Sequence, residues 1–215
     1  NEIIRYVLDP KASLNIQEGK KVEIADIIGI ICFALSGFLI SVHYKLDILG
    51  VFISSFLTAL GGGMIRDVLA DRTPYVFTTN LPVILVVITV AIALLFKLHK
   101  IADLEGKTAF IISDAVGLVS FSITGSIVAI QNDFNFLGVL ILAFLTAVGG
   151  GTIRDILINR VPSILVSEFY ATVALIVASI IFVLELLHLR SLPTLTLVFI
   201  FGVVLRILAY YKKWH

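Results

Sequence analysis

Long apolar stretches alternate with brief polar interruptions along this chain, and the interruptions decide where each stretch stops. The first apolar run covers about 24–42 and ends in His43-Tyr44-Lys45. A second, about 46–70, halts at Asp71, Arg72 and Pro74. The third, about 81–98, opens on Leu81-Pro82, where proline is tolerated because a first-turn N–H has no helical partner. The most polar loop follows, with Lys97, His99, Lys100, Asp103, Glu105 and Lys107. Runs four to six cover about 109–130, 136–158 and 164–187. The seventh, about 192–211, ends in Tyr210-Tyr211-Lys212-Lys213-Trp214, an aromatic and basic cluster suited to a headgroup interface. Each run approaches the roughly 20 residues that a membrane-crossing helix needs. None alternates like the short strands of a membrane barrel. The pattern predicts an all-α polytopic membrane protein with seven transmembrane helices.

Composition agrees. Of 215 residues, 59% are hydrophobic and 14% charged, against about 25% charged in an average chain. One globular core cannot hide so much apolar side chain, so lipid must cover the surplus. A net charge of +1 without a basic stripe argues against a nucleic-acid partner. Cys32 is the single cysteine, which excludes an intrachain disulfide. His43, His99, His188 and His215 fall at run ends or in loops without metal-ligand spacing, so no metal site is expected. The first 23 residues are polar and mixed in charge, without the basic-then-apolar order of a signal peptide.

Internal repetition is the strongest signal. A shift of 88 positions aligns Asp26–Pro74 with Asp114–Pro162 without a gap, and 21 of the 49 pairs are identical. Apolar bias can match leucine with leucine, but it cannot place Gly29/Gly117, Gly37/Gly125, Arg66-Asp67/Arg154-Asp155 and Pro74/Pro162 in register. The chain divides into a polar arm (1–22), a first three-helix repeat (23–108), a second (109–190), and a seventh helix with a basic tail (191–215). An odd number of spans per repeat makes the second copy inverted, related to the first by a pseudo-two-fold axis in the membrane plane. Transport proteins use this architecture, with the pathway at the repeat interface. Charge bias does not orient the chain. Arg5, Lys11, Lys20, Lys21, Arg72 and Arg190 on one side face seven basic residues on the other.

Candidate chemistry sits in the duplicated motifs. Gly61-Gly62-Gly63 and Gly149-Gly150-Gly151 lie deep in spans two and five, and three interior glycines forgo roughly 3 kcal/mol of helix propensity. One reading is close helix packing. The other is a bent or unwound turn that frees carbonyls, which membrane depth tolerates only along a cavity or inside protein. Carbonyl oxygens near the midplane favour cations. On this second reading, Gly62→Leu and Gly150→Leu restore helix and cut conductance while assembly survives. Arg66-Asp67 and Arg154-Asp155 either snorkel or pair structurally, or control charge along a path. Asp26 and Asp114, at the start of the first span of each repeat, are N-terminal caps or vestibule charges. Ser36 and Thr124 bond back to their own helices or offer neutral oxygens to an ion, and Thr58 and Thr146 join them as polar candidates. Phe33/Phe121 and Phe56/Phe144 read as packing.

At Gly61-Gly62-Gly63-Met64-Ile65-Arg66-Asp67 and Gly149-Gly150-Gly151-Thr152-Ile153-Arg154-Asp155, the sequence resembles bacterial members of the trimeric intracellular cation (TRIC) channel family, also described as a glycine-transporter-like or UPF0126-type duplicated membrane domain. The likeness covers nearly the whole chain. It implies a homotrimer in the bacterial inner membrane, with an hourglass pore in each protomer for monovalent cations, mainly potassium, with sodium a further candidate. It also implies that both glycine triplets bend their helices beside the pore. Animal members carry a lysine-containing motif linked to phosphoinositide binding, and the equivalent turns here read glycine-arginine-aspartate.

The leading expectation is passive cation conduction between spans one, two, four and five. No enzyme chemistry, no cofactor and no bound metal beyond a transient monovalent cation are expected, and the partners are further copies of the chain and membrane lipids. The rival is a carrier for a small zwitterion such as glycine, held by half-helix ends and midplane oxygens. A scaffold with a vestigial pore is the third reading.

Overall fold

A computed structural model of the chain describes residues 10–98, 103–166 and 168–212. Every regular element among them is helical: α1 (Pro10–His43), α2 (Ile48–Leu69), α3 (Tyr75–Thr78), α4 (Leu81–Leu95), α5 (Asp103–Gln131), α6 (Phe136–Leu157), α7 (Ser163–Val166), α8 (Glu168–Leu186) and α9 (Leu192–Tyr211). Among the described residues, six stretches are long and apolar enough to cross a membrane: Val22–His43 of α1, all of α2, Thr108–Gln131 of α5, all of α6, Phe169–Leu186 of α8 and all of α9. The third expected span is the exception. It is helical only over the 15 residues Leu81–Leu95, about 22 Å at 1.5 Å per residue, short of the hydrocarbon thickness of about 30 Å. The helix closes at Phe96, whose N–H reaches the Ile92 carbonyl, and Lys97 turns left-handed at φ 54°. The seven-span expectation therefore becomes six full-length helices and one shorter apolar helix.

Other boundaries also move. The expected polar arm is helical from Pro10 onward, and residues 1–9 lie outside the described residues. So do residues 99–102 of the polar loop and the Lys213-Trp214 end of the aromatic and basic tail. The sixth run is helical over α7 and α8, and residue 167 between them lies outside the described residues. α2 and α6 start where the two copies place matched caps. The Asp47 side chain accepts from the Gly50 N–H at 2.7 Å, and Asn135 accepts from the Gly138 N–H at 2.8 Å. Both caps follow a left-handed residue, Lys45 or Asp133. Asp47→Ala should cost about 1 kcal/mol, read as a small drop in thermal stability in detergent.

The two copies pack against each other reciprocally. A Cβ on Gly29 would lie 3.1 Å from the Phe121 ring, and one on Gly117 would lie 2.2 Å from the Phe33 ring. The two rings themselves sit 5.2 Å apart. Within each copy the packing also repeats: Gly37 abuts Ser55 Cα, and its mate Gly125 abuts Ala143 Cα, each 2.7 Å from where a Cβ would stand. When residue i meets j and the mate of j meets the mate of i, the contact is isologous and the relation is a two-fold. α1, α2, α5 and α6 form this symmetric centre. α4 packs beside α1 and α2, and α8 packs beside α5 and α6. α9 has no symmetry mate and packs on α5 and α8.

Candidate functional site

At the centre, the backbones of α2 and α6 cross at the second glycine of each triplet. A Cβ on Gly62 would stand 2.1 Å from the Thr146 carbonyl oxygen, and one on Gly150 would stand 2.0 Å from the Thr58 carbonyl oxygen. Gly61 and Gly149 receive Ile153 and Ile65 from the opposite helix, 2.9 and 2.8 Å from a built Cβ. Both helices run unbroken through their triplets, and no described glycine has positive φ. This corrects the expectation of an unwound turn at Gly61, Gly62, Gly63, Gly149, Gly150 and Gly151. Without an unwound turn there is no set of freed carbonyls. The glycines instead let two helices touch backbone to backbone, as small residues do in membranes. A leucine at Gly62 or Gly150 would collide with a carbonyl rather than restore a helix that is already complete. The third glycines differ, because a Cβ on Gly63 would find its nearest atom, Arg66 Nη2, only at 4.0 Å.

One turn beyond each triplet stands a buried ion cluster. Arg66 Nη1 donates to Asp26 Oδ1 at 2.7 Å and to Thr124 Oγ1 at 3.0 Å, while its Nε donates to Asp67 Oδ1 at 2.9 Å. In the second copy, Arg154 Nη1 donates to Ser36 Oγ at 2.8 Å and to Asp114 Oδ1 at 3.1 Å, and its Nε donates to Asp155 Oδ1 at 3.0 Å. Ser36 Oγ also donates to Asp114 Oδ1 at 3.1 Å. Each arginine thus binds both aspartates of its own repeat and the hydroxyl of the other repeat's first helix. Ser36 and Thr124, mates in the sequence, exchange across the two-fold. The second carboxylate oxygen of each Arg-Asp motif ties down the chain eight residues on. Asp67 Oδ2 accepts from the Tyr75 N–H at 2.9 Å, and Asp155 Oδ2 accepts from the Ser163 N–H at 2.8 Å and its Oγ at 2.9 Å. The spacing from Arg-Asp to proline is therefore a single device that anchors α3 or α7 to the cluster.

These placements settle several alternatives. Asp26 and Asp114 are not helix caps, because each lies more than two turns inside a helix, α1 being helical from Pro10 and α5 from Asp103 among the described residues; both are buried ion-pair partners. Arg66 and Arg154 do not snorkel, being 3% and 0% exposed. Ser36 joins the ion cluster instead of bonding back. Thr124 does both, donating to the Phe121 carbonyl at 3.3 Å. Thr58 and Thr146 bond back to the Ser54 and Leu142 carbonyls at 2.6 Å.

Around the first cluster is a small recess of about 20 Å³, lined by Asp26, Gly63, Arg66, Asp67, Tyr75 and Pro82, among others. Two residues at the second cluster were not singled out in the sequence. Tyr170 of α8 is buried, and the Arg206 guanidinium of α9 stands 4.7 Å above its ring. Arg206 had a signal, as a charge interior to an otherwise apolar helix and therefore costly in lipid. Tyr170 had none, because it lies beyond the identity that ends at Pro162.

The fold and its charged centre define an all-helical integral membrane protein built from two copies of one unit. A family model described as "Glycine transporter" matches residues 23–100 and 111–185. A UPF0126 membrane protein of Bacillus subtilis, YvgT, is 36% identical over 149 residues, covering 69% of this chain and 73% of that protein. The inner membrane protein YadS of Escherichia coli is 38% identical over 151 residues, covering 70% and 72%. Among solved structures, a prokaryotic TRIC channel crystallised in 0.5 M KCl superposes with a TM-score of 0.83 at 32% identity, over 90% of this chain and 98% of that one. A TRIC orthologue from Rhodobacter sphaeroides gives 0.82 at 26% identity, over 89% and 98%. The chain belongs to the glycine transporter (UPF0126) family and is a bacterial member of the TRIC channel family.

Proposed function

We propose that this protein is a passive channel for monovalent cations, potassium foremost, with a path inside each protomer between α1, α2, α5 and α6. The observation that carries the reading is the pair of buried Arg–Asp–hydroxyl clusters, one per repeat, at intramembrane depth among those four helices. Ionisable groups in lipid are expensive and commonly mark ion pathways. Because both triplets remain helical, the oxygens offered to an ion are those of side chains: the carboxylates of Asp26, Asp67, Asp114 and Asp155 and the hydroxyls of Ser36 and Thr124. Arg66 and Arg154 offset those carboxylates and set how much cation the path holds.

Two similar solved structures are of TRIC cation channels, one of them a trimeric intracellular cation channel orthologue. By that likeness three copies assemble in the inner membrane, each with its own path. α4 completes the first inverted three-helix unit (23–108) against the second (109–190), with the two-fold axis in the membrane plane. A zwitterion carrier rested on half-helix ends at broken helices, and unbroken α2 and α6 remove that footing. No bond-making step is assigned.

The test is purified protein in liposomes, with potassium efflux and labelled-glycine counterflow measured side by side. Potassium efflux without glycine counterflow is expected. Counterflow of glycine without potassium movement would overturn the proposal.

A further inference from the structure

The two halves share a sequence register and a two-fold, but they do not share the recess. Shifted by 88 positions, the lining residues Asp26, Gly63, Met64, Arg66 and Asp67 become Asp114, Gly151, Thr152, Arg154 and Asp155, so the polar frame is preserved. Pro82, which also lines the first recess, becomes Tyr170. That tyrosine is 2% exposed, and its hydroxyl lies 3.3 Å from where a Cβ on Gly151 would stand. At the mate position, Gly63, the corresponding space is open out to 4.0 Å. Tyr170 therefore stands in the second repeat where the first repeat keeps a recess.

Two further observations bear on why it stays there. Arg206, 7% exposed, covers the ring face from α9, the one long helix outside the duplication. A desolvated cation over an aromatic face is held by the ring's quadrupole. The filled arrangement also carries a cost, since among the described residues Arg154 Nη2, 3.6 Å from the same built Cβ, has no hydrogen-bond acceptor. A buried guanidinium N–H without an acceptor is rare in native proteins, and water admitted on withdrawal of the ring would satisfy it.

We infer that Tyr170 plugs the second repeat's half of the molecule and that α9 holds it there through Arg206, so that small cations reach the first ion cluster with the ring in place and the second only when it withdraws. The inference builds on the proposed conduction path and gives a function to the helix that breaks the symmetry. It also makes the two clusters unequal in charge. Two carboxylates face one arginine at the open recess, whereas Arg206 brings a second cation to the plugged side.

Chemical accessibility tests the plug without relying on ion flux. In a Cys32→Ser background, Met64→Cys and its mate Thr152→Cys are exposed to a small cationic methanethiosulfonate in liposomes. Thiol modification follows access, so Met64→Cys should react at least about tenfold faster than Thr152→Cys. Adding Tyr170→Ala should bring the Thr152→Cys rate to within about threefold of Met64→Cys. Tyr170→Phe, which keeps the ring, should leave it protected. Arg206→Met should raise the rate part of the way. Should Tyr170→Ala fail to fold, Tyr170→Val serves as the opened variant. Equal rates in the two repeats with Tyr170 in place, or a Thr152→Cys rate indifferent to loss of the ring, would overturn the inference. Parallel potassium efflux keeps the two ideas apart. The predicted labelling without efflux upholds the plug and defeats the channel, and efflux with indifferent labelling does the reverse.

Discussion

Gly62→Ala and Gly150→Ala should each destabilise the protein by more than about 3 kcal/mol, beyond the usual 1–3 kcal/mol of overpacking. The added methyl carbon would lie 2.1 Å from the Thr146 carbonyl oxygen in one case and 2.0 Å from the Thr58 carbonyl oxygen in the other. Neither obstacle is a side chain that can rotate away, since both belong to the backbone of a packed helix. Relief requires α2 and α6 to separate, and their contact lies at the centre of the two-fold. Alanine is the better helix former by about 1 kcal/mol, so local propensity predicts stabilisation and packing predicts the opposite. The sign of the change decides which controls this site. Gly63→Ala is the internal control, because its side is open and the propensity gain is unopposed there. Melting of detergent-solubilised protein, followed by the loss of monodisperse material after heating, measures all three. A stable, well-assembled Gly62→Ala would mean that the helices are not in backbone contact.

The second large effect is expected from Arg154→Met, which keeps the length of the side chain and removes its charge. Asp114 and Asp155 would then lose their counter-charge in a site where Arg154 and Asp155 are 0% exposed, and Ser36 would lose its donor. Removing one partner of a buried ion pair typically costs 3–5 kcal/mol, roughly, because the remaining charge is uncompensated. Arg154→Met should accordingly fail to accumulate or should melt far below the parent. The double variant Arg154→Met/Asp114→Asn, with one of the two stranded charges removed, should recover a substantial part of the loss. Arg154→Lys should fall between them, since an ammonium cannot reproduce the Nε and Nη1 fork that holds both aspartates. The comparison is a double-mutant cycle, and additivity of the two single changes would show that Arg154 and Asp114 do not interact.

Much of this was readable before any coordinates. The apolar runs located the spans to within a few residues, because a helix in lipid must satisfy its own backbone and so advertises itself as one continuous hydrophobic stretch. The duplication located the motifs that matter, Gly61 to Asp67 and Gly149 to Asp155. Their geometry was not readable. Three adjacent glycines are equally consistent with a break and with a crossing, and only the opposing helix, with Thr146 and Thr58 at the contact, decides between them. Asp26 looked like a cap because the apolar run starts near it. The helix is in fact already running at Pro10, since the polar residues before the run continue the same helix. The exchange of Ser36 and Thr124 between repeats follows from the two-fold contact, which no local pattern encodes. Tyr170 and Arg206 were hidden for a related reason, since they belong to the part of the molecule where the two copies have stopped resembling each other.

The central claim is that a monovalent cation crosses through the polar centre of each protomer. Its most direct test is the reversal potential of purified protein in a planar bilayer under a potassium chloride gradient. Unitary currents that reverse close to the potassium equilibrium potential are predicted. Currents that reverse at the chloride potential, or that ignore the potassium gradient, would contradict it.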